Sequence, residues 1–418
     1  MKFEINLTLL LYLMAFTPKK SMMKRICALS LVLMVTSFFA NAQFVQDVVN
    51  GIRMDSLERK VSELSGEVFS SINGISSRII NREHANNDLA LEYIKDHFEA
   101  LGNITIEDQS FNAGSGIGRN IIATQTGTVN PDNIYLICAH YDSVDDYCAD
   151  DNATGTSAVL EIARILSQYE TQNTIVYALW DQEEIGLRGS NYYAELASDV
   201  ANGGVNRANI IGVVNMDMMG YQNQVADDNN FDIDLNNAAN SEAIRDDLLA
   251  LRTIYAPILN PIVVQPGTPF SDHKPFWDEG YGAVLVGESW ETNDQTPDYH
   301  QNTDRLSTLD VPYFYEIAKL VAAYTATKAG IVRLLSTDSF TDNELKIFPN
   351  PVKSVLNIET TINTDFNLEF FDVKGKLIKL LKLNSGTRNV DLSSFASGVY
   401  FLEITNQEKS RIFKFVKE

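Results

Sequence analysis

The pattern of apolar and polar positions divides the chain near residue 335 into two parts. In the first part, continuous apolar runs typical of buried strands alternate with stretches of helical periodicity. A clear amphipathic helix is predicted over 90–101, and Gly102 ends it. Strands that alternate with helices predict an α/β domain with a mostly parallel mixed sheet flanked by helices. The runs that best fit buried strands are 134–138, 174–180 and 208–220.

The pattern changes after Leu335. A short polar stretch is followed by alternating runs such as LEFFDV and GVYFLEI, which are separated by Gly, Asn and Ser turns. Such runs predict a small antiparallel β-sandwich, and this part has no His or Cys. We therefore expect a first domain over 43–335 that includes a helical lead-in, a linker at 336–343, and an all-β sandwich over 344–418.

The amino end has the features of a secretory signal peptide. A basic pair at 24–25 precedes the apolar run ICALSLVLMVTSFF, and Ala-Asn-Ala follows at 40–42. We interpret 1–42 as the signal peptide region, with Met22 or Met23 as the true start. The alternative is a signal anchor that holds the protein in the inner membrane. No later segment approaches the roughly 20 apolar residues of a membrane span, so we expect no stable span in the mature form.

Charge is distributed unevenly along the chain. The formal net charge is −22, and residues 43–344 alone carry −29. Such an acidic surface repels phosphate backbones, which argues against nucleic acid as a partner, whereas it attracts metal cations.

A candidate metal site begins where the first buried strand ends. His140 and Asp142 follow that strand, an acidic loop comes next, and helical spacing begins at Ser157. Open α/β sheets bind ligands at the carboxyl ends of their strands, so this stretch predicts a metal site at that edge. Cys138 and Cys148 flank the histidine, and the sequence leaves open whether they form a disulfide or remain thiols.

Other potential ligands follow later strands or lie in later loops. Any one carboxylate among these potential ligands, taken alone, is equally explained as a helix N-cap or as a solvated residue at the edge of the sheet. Together they predict nitrogen and oxygen ligands that converge on one edge, which suits zinc. The carboxylates outnumber the positions of one tetrahedral ion, which favours two metals sharing a bridging carboxylate. The residues concerned are Asp151, Glu183, Glu184, Asp217, His273 and His300, whereas His84 and His97 are interpreted as surface or helix residues.

An ordered set of motifs carries a family resemblance. HYD, ADDNATG, EEIGLRGS, NMDM, SDH and YHQNTD occur in this order within 75–330. The set resembles the bacterial leucyl aminopeptidase family of co-catalytic zinc metallopeptidases, which implies a zinc aminopeptidase-like fold and two Zn²⁺ per chain. By this resemblance His140 and Asp217 hold one zinc, Glu184 and His300 hold the other, and Asp151 bridges them.

The bridging role falls to Asp151 and not Asp150 because the family's bridging aspartate stands four residues before the motif glycine, here Gly155. The remaining loop acids, Asp145, Asp146 and Asp150, are then expected to be solvated or capping residues.

The resemblance also implies catalytic and pocket residues. Glu183 is the expected general base, and Asp142 is expected to orient His140 through its second ring nitrogen. His273 is expected to line the site without binding metal. Glu288 and Glu291 depart from relatives, as does Gly287 where a bulky apolar residue is expected, which leaves pocket selectivity open. The expected pocket residues are Met218, Phe270, His273 and Leu285.

The last residues carry a second resemblance. KIFPNPVKSVLNI, DLSSFASGVYFLEI and the basic end RIFKFVKE resemble the type A carboxyl-terminal sorting domain of type IX secretion, over 344–418. A generic adhesion or carbohydrate-binding sandwich is the alternative. The resemblance implies the type IX secretion machinery as a partner, and passage through the periplasm to the cell surface or the medium.

The expected function is therefore that of a secreted zinc-dependent exopeptidase, an aminopeptidase that releases N-terminal residues from peptide substrates. Alternatives with the same resemblance are a carboxypeptidase- or dipeptidase-type member and a glutaminyl cyclase-like transferase. A non-catalytic, receptor-like member is a further alternative, but such relatives lose ligands that this chain retains.

Overall fold

The computed structural model describes residues 43–333 and 344–418, except for short gaps at 115, 224–227, 293, 363–364, 374–376, 384–388 and 407–408. The described residues fall into two compact units, which correspond to these two ranges. The expected signal peptide region 1–42 and the expected linker 336–343 lie outside the described residues.

The first unit is built from helices and strands that alternate along much of its length. Its helices are α1 (43–51), α2 (Met54–Leu64), α3 (Asp88–Glu99), α4 (Gly155–Leu166), α5 (Arg188–Ser198), α6 (Ser241–Tyr255), α7 (His273–Asp278) and α8 (Val311–Ala329). Its strands are β1 (Ser70–Ile72), β2 (Ile75–Ser77), β3 (Thr105–Asn112), β4 (Ile117–Gln125), β5 (Asn130–His140), β6 (Tyr169–Thr171), β7 (Asn173–Trp180), β8 (Ile210–Met216), β9 (Asn230–Leu235), β10 (Asn260–Val264), β11 (Ala283–Glu288) and β12 (Ile331–Arg333).

A mixed eight-stranded sheet forms the centre of this unit. Its strand order is β10-β9-β11-β8-β5-β7-β4-β3. The four central strands, β11, β8, β5 and β7, are mutually parallel. Strands β3 and β4 add an antiparallel edge, and β9 runs antiparallel to β11. The predicted fold class, a mostly parallel mixed sheet flanked by helices, is confirmed.

Apolar cores lie on both faces of the sheet because successive strand residues point to opposite faces. On β5, Ile137 and Ala139 pack into one core with residues of α4, α6 and α8. Leu136 and Cys138 pack into the other core, which contains Phe276 of α7. Both faces of β5 are thus covered, and the end of the strand remains available for a site.

Strand β9 was not expected from the sequence. Its residues alternate, with Phe231, Ile233 and Leu235 in the core and Asp232 and Asp234 on the opposite face. The two acids break the continuous apolar pattern that marks the other buried strands, so the run NFDIDL carries only the weaker alternating signal.

The second unit contains two antiparallel sheets. One has the order β13 (Leu345–Phe348), β14 (Val355–Thr360), β17 (Asn389–Asp391), and the other has the order β16 (Leu377–Leu383), β15 (Phe366–Asp372), β18 (Gly398–Thr405), β19 (Ser410–Lys417). Residues from both sheets, among them Ile358 and Leu368, share one apolar core. The predicted all-β sandwich is confirmed. In the described part of the chain no helix is long and apolar enough to cross a membrane.

Candidate active site

Three adjacent parallel strands deliver the candidate residues to one edge of the sheet. β5 ends at His140, which pairs with Trp180 at the end of β7. Glu183 and Glu184 follow Trp180 within the next turn, and Asp217 directly follows β8 on the other side of β5. These side chains converge because parallel strands end at the same edge.

Asp151 lies between two histidines. Its Oδ1 is 3.3 Å from His140 Nε2, and its Oδ2 is 3.3 Å from His300 Nε2. His140 Nε2 is also 3.3 Å from Asp217 Oδ1, and His300 Nε2 is 3.2 Å from Glu184 Oε2. The structure therefore brings together the five expected ligands as two groups that share one aspartate.

Each group has donor atoms close enough to hold a metal ion. The ligand atoms of His140, Asp151 and Asp217 all lie within 4.8 Å of one another, and so do those of Asp151, Glu184 and His300. Glu184 Oε1 is buried and has no hydrogen-bond partner among the described residues. A buried carboxylate oxygen without a donor costs free energy unless a cation satisfies it. The donor set, imidazole nitrogen and carboxylate oxygen, is one that zinc accepts.

The electrostatics of the site favour bound cations. Burial raises the pKa of Glu183 well above its ordinary value, and burial with the charge of Asp151 raises the pKa of Glu184 to about 7. Burial acts to lower the pKa of His140, but the charges of Asp217 and Glu183 outweigh it and hold that pKa well above the usual range. Bound cations would relieve this crowding of carboxylates.

The loop that carries Asp151 is held by two buried residues that sequence reasoning missed. Arg82 donates to the carbonyl oxygens of Tyr141 and Cys148 at 2.9 and 2.8 Å. The carboxylate of Asp304 accepts the backbone N–H of Asp151 at 3.0 Å. Asp304 belongs to the YHQNTD motif that also contains His300, which was the only signal for it, whereas Arg82 stands in a polar stretch without any signal.

Asp142 contacts more than the histidine it was expected to orient. Its carboxylate is 3.6 Å from His140 Nδ1, while its backbone carbonyl is closer, at 3.2 Å. The same carboxylate accepts the backbone N–H groups of Glu183 at 3.1 Å and Glu184 at 3.3 Å. Asp142 therefore positions the two glutamates as well as the imidazole.

A cavity of about 470 Å³ opens beside these residues. Met218, Phe270 and Leu285, the pocket residues that the resemblance implies, are among the residues that line it. Its described lining residues are His140, Asp151, Glu183, Glu184, Asp217, Met218, Asp232, Asp234, Thr268, Phe270, Ser271, Leu285, Gly287, Glu288, Trp290, Glu291, Tyr299 and His300.

The prediction that His273 lines the pocket is wrong. His273 is fully buried at the start of α7, where its Nε2 lies 2.8 Å from the carbonyl oxygen of Thr268 and its ring packs against Trp277. It is absent from the described lining of the cavity, whereas Thr268 is present. The histidine therefore lies behind the cavity wall, where it contacts Thr268, a residue that lines the cavity.

Asp150 was expected to be a solvated or capping residue, and the structure shows that it is not solvated. Its side chain is fully buried, and Oδ1 accepts the backbone N–H of Gly220 at 2.7 Å. Asp150 Oδ2 and Glu288 Oε2 have no donor within the described ranges, and the two carboxyls interact with each other. Burial raises the pKa of each well above its ordinary value.

Gly287 has a clear steric reason to be glycine. A Cβ atom at this position would come within 2.3 Å of the carbonyl oxygen of Asp217. The bulky residue expected there has no space, because the close approach of β11 to the end of β8 requires the absence of a side chain.

The structure also answers the question about the two cysteines. Cys138 and Cys148 are both free thiols and both buried.

Comparisons with known proteins agree with the two-part organisation. Residues 120–325 match Peptidase family M28, and residues 346–418 match the secretion system C-terminal sorting domain. The match is to Peptidase family M28 as a whole, which is coarser than the leucyl aminopeptidase family suggested by the motifs.

Two relatives match part of the chain. A probable zinc metalloprotease of Pyrenophora tritici-repentis is 29% identical over 193 residues, which cover 41% of this chain and 38% of the relative. Aminopeptidase Y of Saccharomyces cerevisiae is 32% identical over 221 residues, which cover 50% of this chain and 39% of the relative. The chain thus spans less than half the length of these curated relatives.

Solved structures share the fold. The LapA aminopeptidase of Legionella pneumophila is similar with a TM-score of 0.58 at 18% identity, covering 69% of this chain and 75% of LapA. Glutaminyl cyclase of Macrostomum lignano is similar with a TM-score of 0.53 at 16% identity, covering 68% of this chain and 92% of the cyclase. At these identities the similarity concerns the fold alone.

Proposed function

Residues 120–325 match Peptidase family M28, and on that similarity we propose that the chain is a two-zinc aminopeptidase. One observation carries the proposal. Asp151 directs one carboxylate oxygen to His140 and the other to His300, each at 3.3 Å. A carboxylate shared in this way between two donor groups is what a pair of metal ions requires of its bridge.

The metal ligands we propose are those that the geometry groups together. His140 and Asp217 would hold one zinc, Glu184 and His300 the other, and Asp151 both. The similarity to a probable zinc metalloprotease and to an aminopeptidase supports zinc and N-terminal cleavage. When bound, the pair of ions supplies polarisation of the scissile carbonyl and acidification of water.

Glu183 is the proposed general base. Its carboxyl lines the cavity, and its backbone N–H is held by Asp142 at 3.1 Å, which limits where the side chain can lie. Burial raises its pKa, so the carboxylate accepts a proton more readily near neutral pH. We propose that it takes a proton from the attacking water and delivers that proton to the amine that leaves as the C–N bond breaks.

The cavity supports removal of single residues from a chain end. A volume of about 470 Å³ is in the range of sites that enclose small ligands, so the cavity has room for the terminal residue of a peptide. Glutaminyl cyclase shares the fold, but the adjacent Glu183 and Glu184 and the shared Asp151 favour hydrolysis over cyclisation.

Export is part of the proposal. The sorting domain at 346–418 indicates type IX secretion to the cell surface or the extracellular space, with the secretion machinery as partner. We propose that the expected signal peptide delivers the chain to the periplasm first.

A panel of substrates with metal analysis tests the function. Free aminoacyl p-nitroanilides should be cleaved, their N-acetylated forms should not, and the chain should contain close to two zinc ions. A peptide with N-terminal glutamine distinguishes a cyclase, which would form pyroglutamate. Cleavage of blocked substrates would contradict an aminopeptidase, and activity that persists through complete chelation would contradict the metal site.

A further inference from the structure

The cavity has a second acidic wall, away from the proposed metal ligands. Asp232 and Asp234 project from β9 on its cavity face, and Glu291 lies in the loop after β11. The sheet order places β9 two strands from β8, so this wall is about 10 Å from the strand that presents Asp217. The substrate bond must lie near Asp217, and the second wall therefore faces a more distant part of the substrate.

Strand pairing explains why the acids border open space. Asp234 is directly opposite Leu285, and Asp232 is directly opposite Gly287, on antiparallel neighbours. Residues directly opposite on such strands project from the same face. Gly287 adds no side chain between Asp232 and the catalytic edge, so the cavity continues from the proposed metal centre to the acids.

These carboxylates lack positive partners within the structure. No Lys, Arg or His of the described residues forms an ion pair with Asp232, Asp234 or Glu291. The carboxylate of Asp232 instead has neutral donors. It accepts hydrogen bonds from Ser289 Oγ at 2.6 Å and from the backbone N–H groups of Trp290 and Glu291 in the loop after β11.

Asp234, unlike Asp232, has one carboxylate oxygen without a donor among the described residues. It is only 5% exposed, and its single hydrogen bond in the described part of the chain is the N–H of Thr268 to Oδ1, at 2.7 Å. Its Oδ2 has no donor there, although the residue lines the cavity. Because Asp234 lines the cavity and this oxygen has no donor, the oxygen is available to a positively charged group of a ligand.

The rest of the cavity suits a long aliphatic stem. Met218, Phe270 and Leu285 line the cavity with apolar groups. Lysine combines a flexible four-carbon stem with a terminal ammonium, and arginine combines a similar stem with a guanidinium.

We propose that Asp234 and Glu291 form a subsite for a cationic side chain, so that the enzyme prefers peptides with N-terminal lysine or arginine. The proposal rests on the proposed aminopeptidase function and adds its substrate class. Asp232 positions the loop that carries Glu291, through the backbone N–H groups of that loop.

Matched substrates separate charge from size. Norleucine has the lysine stem without the ammonium, so lysyl and norleucyl p-nitroanilides differ only at the tip. A charge-assisted contact in a buried site should give the lysyl substrate a kcat/KM at least about tenfold higher. This ratio should fall as salt is raised, because Glu291 is exposed.

Matched variants identify the residues. Asp234→Asn keeps an oxygen for the N–H of Thr268, and it should lower kcat/KM for lysine about tenfold while norleucine changes less than about threefold. Glu291→Gln should act in the same direction. Asp246→Asn removes a carboxylate from the exposed surface of α6 and should change neither substrate.

Ligand binding keeps the subsite testable apart from turnover. L-lysinamide should raise the melting temperature of the zinc-loaded chain more than L-norleucinamide does, and Asp234→Asn should abolish the difference. Cleavage without any preference for lysine, or an equal loss for both substrates in Asp234→Asn, would overturn the subsite and leave the function intact. Preferential lysinamide binding without peptide cleavage would support the subsite and overturn the function.

Discussion

The carboxylate of Asp142 accepts the backbone N–H of Glu183 at 3.1 Å, across 41 residues of chain. It accepts the N–H of Glu184 as well, at 3.3 Å. One aspartate at the end of β5 thus sets the turn after β7, in which the proposed base and a proposed ligand stand side by side. The contact with His140 Nδ1, at 3.6 Å, is longer than either of these.

Replacing this aspartate should disturb catalysis more than metal binding. In Asp142→Asn one amide oxygen can still accept an N–H, but the NH₂ group opposes the other N–H. We expect kcat to fall about 10- to 100-fold with zinc content near that of the wild type. Asp145→Asn, in the same loop, is the control for kinetics and metal analysis, and an equal effect of both changes would contradict the positioning role.

Glu183→Ala should abolish turnover and retain both metals. Loss of a general base costs about 10²–10⁴-fold in rate, whereas the ligand groups proposed for zinc are untouched. Steady-state kinetics and metal analysis of the same sample give the answer, with exposed Glu195→Ala on α5 as the control. Loss of zinc along with activity would show that Glu183 acts as a ligand instead.

Asp151→Ala should lower the occupancy of both metal positions together. Its two carboxylate oxygens face His140 and His300 separately, so removal of the side chain affects both groups. Zinc content measured after dialysis should fall well below one ion per chain, while Asp146→Ala should retain two. A variant that keeps one tightly bound ion would argue against a bridge.

Glu161 should contribute stability that depends on pH. Its buried carboxylate pairs with Lys60 at 2.9 Å and with Arg164 at 2.6 Å, joining α2 to α4. Burial acts to raise the pKa of Glu161, but the hydrogen bonds and charges of Arg164 and Lys60 prevail and lower it below 4.5. Because the folded pKa is lowered, this stabilisation is complete above about pH 4.5 and is lost as pH falls through the folded value.

Glu161→Gln should therefore destabilise the fold by about 3–5 kcal/mol at pH 7, since it leaves Lys60 buried beside a neutral group. The difference from wild type should shrink in acid. Chemical denaturation between pH 3 and 8, a range that includes the ordinary pKa of a glutamate, measures the destabilisation at pH 7 and its decrease in acid. Glu92→Gln, which breaks a surface pair with Lys95, should cost less than about 1 kcal/mol, and a similar cost for both variants would refute the prediction.

Glu288→Gln should stabilise the protein. In the wild type, Glu288 Oε1 accepts the N–H of Thr296 at 2.8 Å. The glutamine oxygen can still accept this N–H, and the glutamine NH₂ can donate to Asp150. Burial raises the folded pKa of Glu288, so ionisation increasingly opposes folding as pH rises above its ordinary value of 4.5. The gain, about 1 kcal/mol at pH 7, should grow with pH. Denaturation curves in which the variant is less stable at pH 8 than the wild type would contradict this account.

Several features of the site could be predicted from local sequence. His140, Glu184 and Asp217 follow apolar runs that form adjacent strands, so their convergence follows from the geometry of parallel sheets. His300 follows no such strand, so the geometry of parallel sheets does not predict its place beside the others. Strand β9 escaped because Asp232 and Asp234 alternate with apolar residues and weaken the pattern.

The roles of the loop acids could not be read in the same way. Asp145, Asp146 and Asp150 are chemically identical and close in sequence, yet only Asp150 is fully buried. Its environment comes from Gly220 and Glu288, which are distant in sequence. His273 resembles a pocket residue in its motif, but the packing of Trp277 and Thr268 turns it inward.

The sequence by itself determined the two-part organisation, the parallel strands and the types of ligand, because periodicity and motifs are local properties of the chain. Only the tertiary structure decided that Asp151 is shared between His140 and His300, and that Asp304 supports it from 153 residues away. It also decided that Asp234 lines the cavity and that no Lys, Arg or His of the described residues pairs with it. Burial and the pairing of charges depend on which distant segments meet, and no local pattern encodes that meeting.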